Sequence, residues 1–416
     1  MNIGFISTRL AGTDGVSLET AKWASILEDE GHLCFYMAGE FDKDKPNQRS
    51  LLAKEAHFKY PLVQEISGGC FGVKIREPSI TKKIHQIKNK LKKHIYEFIR
   101  GFKIDLLVPE NVLAVPLNIS LGVAITEVIA ETGIPTIAHH HDFFWERKRF
   151  LTNAAWDYLN MAFPPHLPSI QHVVINSSQD NQLSFRTGIS ANIIPNVMDF
   201  ENPPSVDDYS SDIREALGLE ADDLLILQPT RVVKRKGIEH SIELVSRLGL
   251  KAKLVISYAS GDEGYEYEKR VREYSSIMNV DTLFISDIIK PDRGKTSDGR
   301  KIYTPKDIYH HADLVTYPSN FEGFGNAFVE TIYFRRPIVV NNYSVYATDI
   351  KPKGFKAIEL DDYVDSQAVE LTKKVLETPV LAKEMVEHNY ELGKRYYSYS
   401  VLRQKLKALL SNCFGI

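Results

Sequence analysis

The sequence predicts an α/β protein built from two doubly wound, Rossmann-like halves. Short apolar runs of strand length alternate with helical stretches from residue 3 to residue 176. The turn-rich segment Pro195-Asn-Val-Met-Asp-Phe-Glu-Asn-Pro-Pro204 interrupts the pattern, and the alternation restarts at residue 224. Strands that alternate with helices form a mostly parallel sheet covered on both faces. A chain of 416 residues also exceeds what one core usually organises. The expected domains are residues 1–200 and 201–395, with residues 396–416 as a helix that packs back on the first half. Two such halves imply a cleft between them, a usual place for a ligand.

Residues 3–7, Ile-Gly-Phe-Ile-Ser, are the opening buried strand. A loop carrying Gly12 and Gly15 follows, then a helix over residues 17–30 that stops at Gly31-His32. Residues 33–37 are the second strand, and further strands are expected at 105–109, 135–139 and 172–176. In the second half, residues 224–228, 253–257, 282–286, 314–317 and 337–340 read as strands. Residues 238–248, 308–312 and 326–334 read as helices, and 401–410 as the last one. Residues 290–301 are a long polar loop. Residues 80–103 place apolar side chains at 80, 84, 87, 91, 95, 98 and 102, a helical period with Lys and Arg crowding the other face. Peripheral contact with an anionic membrane is one reading of that stretch. A domain helix with a solvated basic face is the simpler one.

Composition narrows the function classes. A net charge of -3 gives no global reason to expect nucleic acid. Cys34, Cys70 and Cys413 are odd in number and lack zinc-like spacing, which fits a reducing compartment. The start, Met1-Asn-Ile-Gly-Phe-Ile-Ser7, has no basic region before a long apolar core, so it does not read as a signal peptide. No apolar run is long enough to span a bilayer. A cytoplasmic location is the expectation, and the oligomeric state is not legible.

Two stretches carry the chemistry. In Pro318-Ser-Asn-Phe-Glu322-Gly-Phe-Gly-Asn-Ala-Phe-Val-Glu330, two acids flank a strand-to-helix turn. Gly323 and Gly325 let the backbone approach a ligand closely. The N–H groups of a helix start would then face that ligand, with the positive end of the dipole behind them. An ordinary turn with two solvated acids would have the same look. The second stretch is Pro229-Thr-Arg231-Val-Val-Lys-Arg-Lys236-Gly237, which ends a strand and precedes a helix. Cations at a helix start oppose the dipole unless an anion is present, so the basic cluster points to phosphate.

Together these stretches resemble the second domain of the retaining GT-B glycosyltransferases of family 4. The matching residues are Arg231, Lys236-Gly237, Glu322-Gly-Phe-Gly325 and Glu330. The opening strand, the loop at Gly12 to Gly15 and Pro195-Asn196 are similar to the family too, so the resemblance covers most of the chain. It implies a GT-B fold and a donor that is a nucleotide diphosphate sugar, with UDP-glucose and GDP-mannose leading. It also implies that Arg231 and Lys236 hold the diphosphate and Glu330 the ribose hydroxyls. Glu322 and the amides of Gly323, Phe324, Gly325 and Asn326 would lie against sugar and phosphate. Gly12 and Gly15 would approach the diphosphate or acceptor. No tightly bound cofactor is implied, and Mg2+ enters as a stimulant only.

A third stretch, His139-His-His141-Asp142-Phe-Phe-Trp145-Glu-Arg147-Lys-Arg149, leaves the strand at 135–139. Three histidines in a row point in different directions from a strand and are poor ligands for one ion, so no metal site is expected. The family commonly has a histidine here that contacts the donor sugar. His141, followed by Asp142, matches best, with His140 nearly as good and His139 open. Arg147 and Arg149 would bind a carboxylate or phosphate on the acceptor. Trp145 and Phe144 either stack on a sugar or anchor the loop.

Some features depart from the family pattern. Asn341-Asn-Tyr-Ser-Val-Tyr346 replaces a glycine-rich turn, Arg336 replaces a small residue, Ser286 stands for a glycine, and residues 290–301 look inserted. The expected activity is hexosyl transfer, glucose or mannose, to a small hydroxyl acceptor, including an anionic one such as a glycerate glycoside or sugar phosphate. Expected partners are a sugar donor and acceptor, without nucleic acid. The rival readings are a GT-B sugar-nucleotide epimerase, a phosphorylase and a non-catalytic nucleotide-sugar sensor.

Overall fold

The computed structural model describes residues 1–12, 14–42, 47–260 and 265–415. Two compact units form: Met1–Pro195 with the chain from Leu402 onward, and Asn196–Val401. The first holds a parallel sheet of β1 (Asn2–Ser7), β2 (Leu33–Ala38), β3 (Ser50–Leu52), β4 (Leu106–Pro109), β5 (Thr136–His140), β6 (Ile170–Val174) and β7 (Ala191–Ile193). The strand order is β3-β2-β1-β4-β5-β6-β7. The second holds β8 (Leu224–Gln228), β9 (Ala252–Ile256), β10 (Thr282–Phe284), β13 (Leu314–Tyr317), β14 (Ile338–Asn341) and β15 (Ile358–Leu360), in the order β10-β9-β8-β13-β14-β15. All its neighbours are parallel as well. Each sheet therefore reverses its winding once, between β1 and β4 and between β8 and β13. Loops at the carboxyl ends of those strands are where such folds bind ligands.

The expected central strands form where the apolar runs lie, because a strand buried on both faces is mostly apolar. The edge strands β3, β7 and β15 were not expected. Each is three residues long and is recruited by its neighbour's free edge rather than by its own apolar run. Two helices, Ser366–Glu377 and Pro379–Tyr397, were also unassigned. The loop at 290–301 contains a short antiparallel pair, β11 (Gly294–Lys295) and β12 (Lys301–Ile302). Arg293 clasps it to Asp207 at 2.6 Å, and Tyr209 Oη donates to the Ile302 carbonyl at 2.9 Å.

Pro195 to Pro204, read as a linker, is packed structure from Asn196 to Phe200. Phe200 is buried against Tyr333 and Tyr390, and its ring lies where a Cβ on Gly393 would stand, 2.6 Å away. Val197 and Phe200 were the apolar signal beneath the turn-like composition. The helix Pro78–Phe102 buries Ile84, Ile87, Leu91, Ile95 and Phe98 in the core of the first unit. On its basic side Lys88 and Lys92 pair with Glu127 at 2.9 Å, and Lys83 pairs with Glu65. Its apolar stripe is thus spent on the core, not offered to a membrane. No helix of the described residues is long and apolar enough to cross one. The final helix, Tyr399–Phe414, contacts the first unit through Lys407 to Glu30 at 2.6 Å and Gln171 Nε2 to the Leu409 carbonyl at 3.0 Å.

Candidate active site

In the second unit the loops after β8 and β13 meet. Gly237 has φ +58°, and an added Cβ would stand 2.3 Å from the Pro318 carbonyl oxygen. Only glycine lets these two loops approach so closely. The Asn320 amide donates to the Arg235 carbonyl at 2.9 Å and ties them further. Lys236 closes a 3-10 turn, Lys234–Lys236, and is 8% exposed, with its ammonium 5.3 Å from the centre of the Tyr317 ring. It pairs with Glu322 Oε1, and Arg235 donates to Glu322 Oε2 at 3.2 Å. Burial alone would raise Glu322, but Lys236 and Arg235 outweigh it and hold the carboxyl below its usual range. Arg231 is exposed, its side chain makes no hydrogen bond or ion pair among the described residues, and it lies near enough to act on Lys236. One carboxylate thus pairs with two cations, and a third stands near Lys236. The excess positive charge sits beside the start of the helix Asn326–Tyr333, whose dipole has the same sign. Such a place attracts a multiply charged anion.

The Glu322-Gly-Phe-Gly325 loop is braced from behind. Tyr343 Oη donates to the Phe324 carbonyl at 3.1 Å. Gly325 has φ +124°, and a Cβ there would meet Tyr343 Oη at 2.1 Å. The tyrosine that departs from the family's glycine-rich turn therefore has a local task, holding the loop on which Glu322 rides. Asn326 accepts from Asn196 Nδ2 at 2.6 Å through its side chain, which links the helix start to the Pro195-Asn196 segment. Glu330 accepts from Tyr309 Oη at 2.9 Å. Arg336 donates to the carbonyls of Phe334 and Ala312, both at 3.1 Å, so it closes a helix end instead of reaching a ligand.

In the first unit Gly12, at φ +74°, donates its amide to Asp42 at 2.9 Å, and Gly15 opens the helix Gly15–Asp29. Thr13, between them, lies outside the described residues. The three histidines separate by alternation along β5. His140 is wholly buried and shares a 2.9 Å hydrogen bond with His172, so its ring is not offered to a ligand. His139 and His141, two residues apart, turn to the same side and share Glu110 Oε2 at 3.0 and 3.3 Å. The expectation that the run cannot converge holds for all three rings together but not for this pair. Their ligand-type atoms and that of Glu110 lie within 4.8 Å of one another.

Arg147 pairs with Asp142, which also accepts from Asn111 Nδ2 at 2.8 Å. Arg149 lies over the Phe150 ring at 4.5 Å and makes no ion pair among the described residues. The two expected acceptor arginines are therefore held by different partners. Trp145 stacks on Phe143 at 4.5 Å and meets Phe144 edge-on, so both aromatics anchor the loop. Glu146 caps that anchor: it accepts from the Phe143 amide at 2.7 Å and from Gln179 at 3.5 Å. Burial, with help from Asp142, pushes its carboxyl up to about 7. A carboxyl raised in the folded state stabilises it fully below the unfolded value near 4.5, and that contribution is lost as pH rises through about 7. Because the side chain keeps partial exposure, Glu146→Gln is expected to exceed the wild type by about 1–2 kcal/mol at pH 8 and to match it at pH 5. Urea denaturation at both pH values checks this, and equal gains at both would remove the titration from the account.

Glu110, Asn111 and Gln179 were missed in the sequence. Glu110-Asn111 directly follows the apolar strand β4, and a polar pair at that end of a buried strand was the available signal.

Two parallel sheets with these loops at their carboxyl ends define a GT-B glycosyltransferase. No family profile matches the chain. It is 32% identical over 440 residues to mannosylglucosylglycerate synthase of Thermotoga maritima, covering 98% of this chain and 99% of that one. It is 31% identical to the Petrotoga mobilis protein of the same name over 86% of each. The chain belongs to the family of glycosyltransferases that contains these synthases. Among solved structures, a glycosyltransferase of Rickettsia africae superposes with a TM-score of 0.69 at 13% identity, over 99% of this chain and 98% of that one. Sucrose-phosphate synthase of Thermosynechococcus elongatus superposes with 0.68 at 14%, over 100% and 99%.

Proposed function

We propose that the chain transfers a hexose, with retention of configuration, from a nucleotide diphosphate sugar to a small anionic hydroxyl acceptor. The specific reaction proposed is mannosyl transfer from GDP-mannose to a glucosylglycerate-type acceptor, with UDP-glucose as the second donor candidate. One observation carries the donor class: Lys236 and Arg235 share the buried carboxylate Glu322, and Arg231 adds a third positive charge near Lys236, beside a helix start, an arrangement that suits a diphosphate. The acceptor class rests on the names of the two relatives, which describe a glycerate glycoside product.

In this reading Arg231 and Lys236 bind the diphosphate and stabilise the charge that grows as it leaves. Each such preorganised donor is worth on the order of 3 kcal/mol in the transition state. The leaving phosphate helps to deprotonate the acceptor, so no second carboxylate at glycosidase spacing is required. Glu322 orients the sugar and keeps Lys236 charged despite its burial. His141 is assigned to the sugar, and Arg147 and Arg149 to the acceptor's anionic group. Mg2+ would act through the donor phosphates rather than through a protein cage.

Glu330 is assigned to the ribose hydroxyls. Glu330→Ala is expected to raise the donor KM about tenfold with little change in kcat, since a contact kept in ground and transition states contributes uniform binding. Steady-state kinetics with varied donor test this, and a fall in kcat at constant KM would move Glu330 out of the ribose site. The reaction itself is tested in two stages. Thermal shifts with GDP, UDP and ADP identify the base, because a ligand of the folded state raises its stability. NMR of the product formed from GDP-mannose and glucosylglycerate then reads linkage and configuration. Nucleotide binding without transfer to any acceptor would favour a sensor, and no nucleotide binding would end the proposal.

A further inference from the structure

Glu110 has no role in the reading above, yet it is among the most completely buried charged groups at the carboxyl end of the first sheet. It follows β4 at the point where the winding reverses, is 1% exposed, and pairs in parallel with His139. Its Oε2 accepts from His139 Nδ1 at 3.0 Å and faces His141 Nε2 at 3.3 Å, while its Oε1 has no hydrogen-bond partner among the described residues. Burial alone would raise this carboxyl, but the two imidazoles outweigh that and hold it below its usual range. An ionised carboxylate only accepts hydrogen bonds. Both ring nitrogens that face it therefore carry the proton.

The two rings differ in what they have left. His139 stacks on Trp23 at 4.2 Å, is 1% exposed, and its remaining Nε2 is buried without a hydrogen-bond partner among the described residues. It acts as a fixed wedge. His141 is partly exposed, and its Nδ1 makes no hydrogen bond among the described residues. Its backbone is already clamped: the amide donates to Asn111 Oδ1 at 3.0 Å, and the carbonyl accepts from Gln179 Nε2 at 2.9 Å. Glu110 supplies the remaining constraint, on ring rotation and on the tautomer. A metal ion would also fit the spacing of these three side chains. A metal-bound histidine, however, normally donates its second N–H to a partner, and His139 Nε2 has none among the described residues.

We propose that Glu110 is a positioning residue for His141. It locks the ring in the Nε2–H tautomer, so that Nδ1 presents a lone pair to a hydroxyl of the substrate. The substrate contact rests on the glycosyl-transfer reading; the tautomer does not. The test separates the two. Long-range 15N–1H correlation spectra of the free protein, labelled in histidine and assigned with His141→Asn, are expected to show His141 as the Nε2–H form. In Glu110→Gln the amide can donate to Nε2, and the spectrum is expected to shift toward Nδ1–H, with Glu110→Asp keeping the original form. In the transfer assay Glu110→Gln is expected to lower kcat about tenfold or more with the donor KM little changed. It should cost nothing further in the His141→Ala background. A wild-type His141 protonated at Nδ1, a tautomer unmoved by Glu110→Gln, or additive losses in the double variant would each overturn the assignment.

Discussion

Lys236→Ala is expected to lower kcat about 10²–10³-fold while the donor KM changes by only a few fold. Lys236 is 8% exposed, and its ammonium is held over the Tyr317 ring by Glu322, so water cannot replace it when it is removed. A buried, fixed charge needs no reorganisation when the leaving diphosphate develops its own charge, and that is why the effect should fall on turnover. Arg231, exposed and without an ion pair among the described residues, should behave differently: its loss weakens binding and can be partly covered by solvent. Lys236→Arg would not be a gentle control, since a planar guanidinium does not fit a site shaped around a point charge. Steady-state kinetics decide the matter, and a kcat within twofold of wild type would remove Lys236 from the leaving-group role.

Glu322→Ala should be the most destabilising of the single changes considered, by about 3–5 kcal/mol, because it strands Lys236 as a buried charge without its counterion. Arg235 loses the same partner, though its own exposure softens that part. The variant also carries a sharper signature. Its cation cluster lacks the one carboxylate that neutralises it, so a nucleoside diphosphate should raise its melting temperature more than it raises that of the wild type. Differential scanning fluorimetry with and without GDP reads both effects. Equal ligand shifts in the two proteins would show that the cluster is not where the diphosphate binds.

Much of this site was legible from residue order alone. Lys236 and Glu322, which the structure pairs, stood out because a strand, a turn and a helix start fix where side chains at such spacings lie; the roles given to them, to Arg231 and to Glu330 come from the family resemblance and stay proposals. The central strands β1, β8 and β13 were legible for the same reason: a strand covered on both faces has no choice but to be apolar. The edge strand Ser50–Leu52 was not, because its pairing is set by the free edge of β2. The Pro195 to Pro204 stretch misled because turn residues dominate it, while Val197 and Phe200 are buried and Asn196 bonds to Asn326.

The sequence by itself determined the class of this protein: the alternation, the two chemistry-bearing stretches and the cation-rich turn all follow from local order. Only the tertiary structure decided how the histidine run is used. His139, His140 and His141 are chemically identical, and the Asp142 that follows His141 favoured that ring without fixing which one faces outward. Glu110 and Trp23 on one side and His172 on the other assign each ring its place. Those partners lie 29 to 116 residues away in the chain and are brought close only by the parallel order of the sheet.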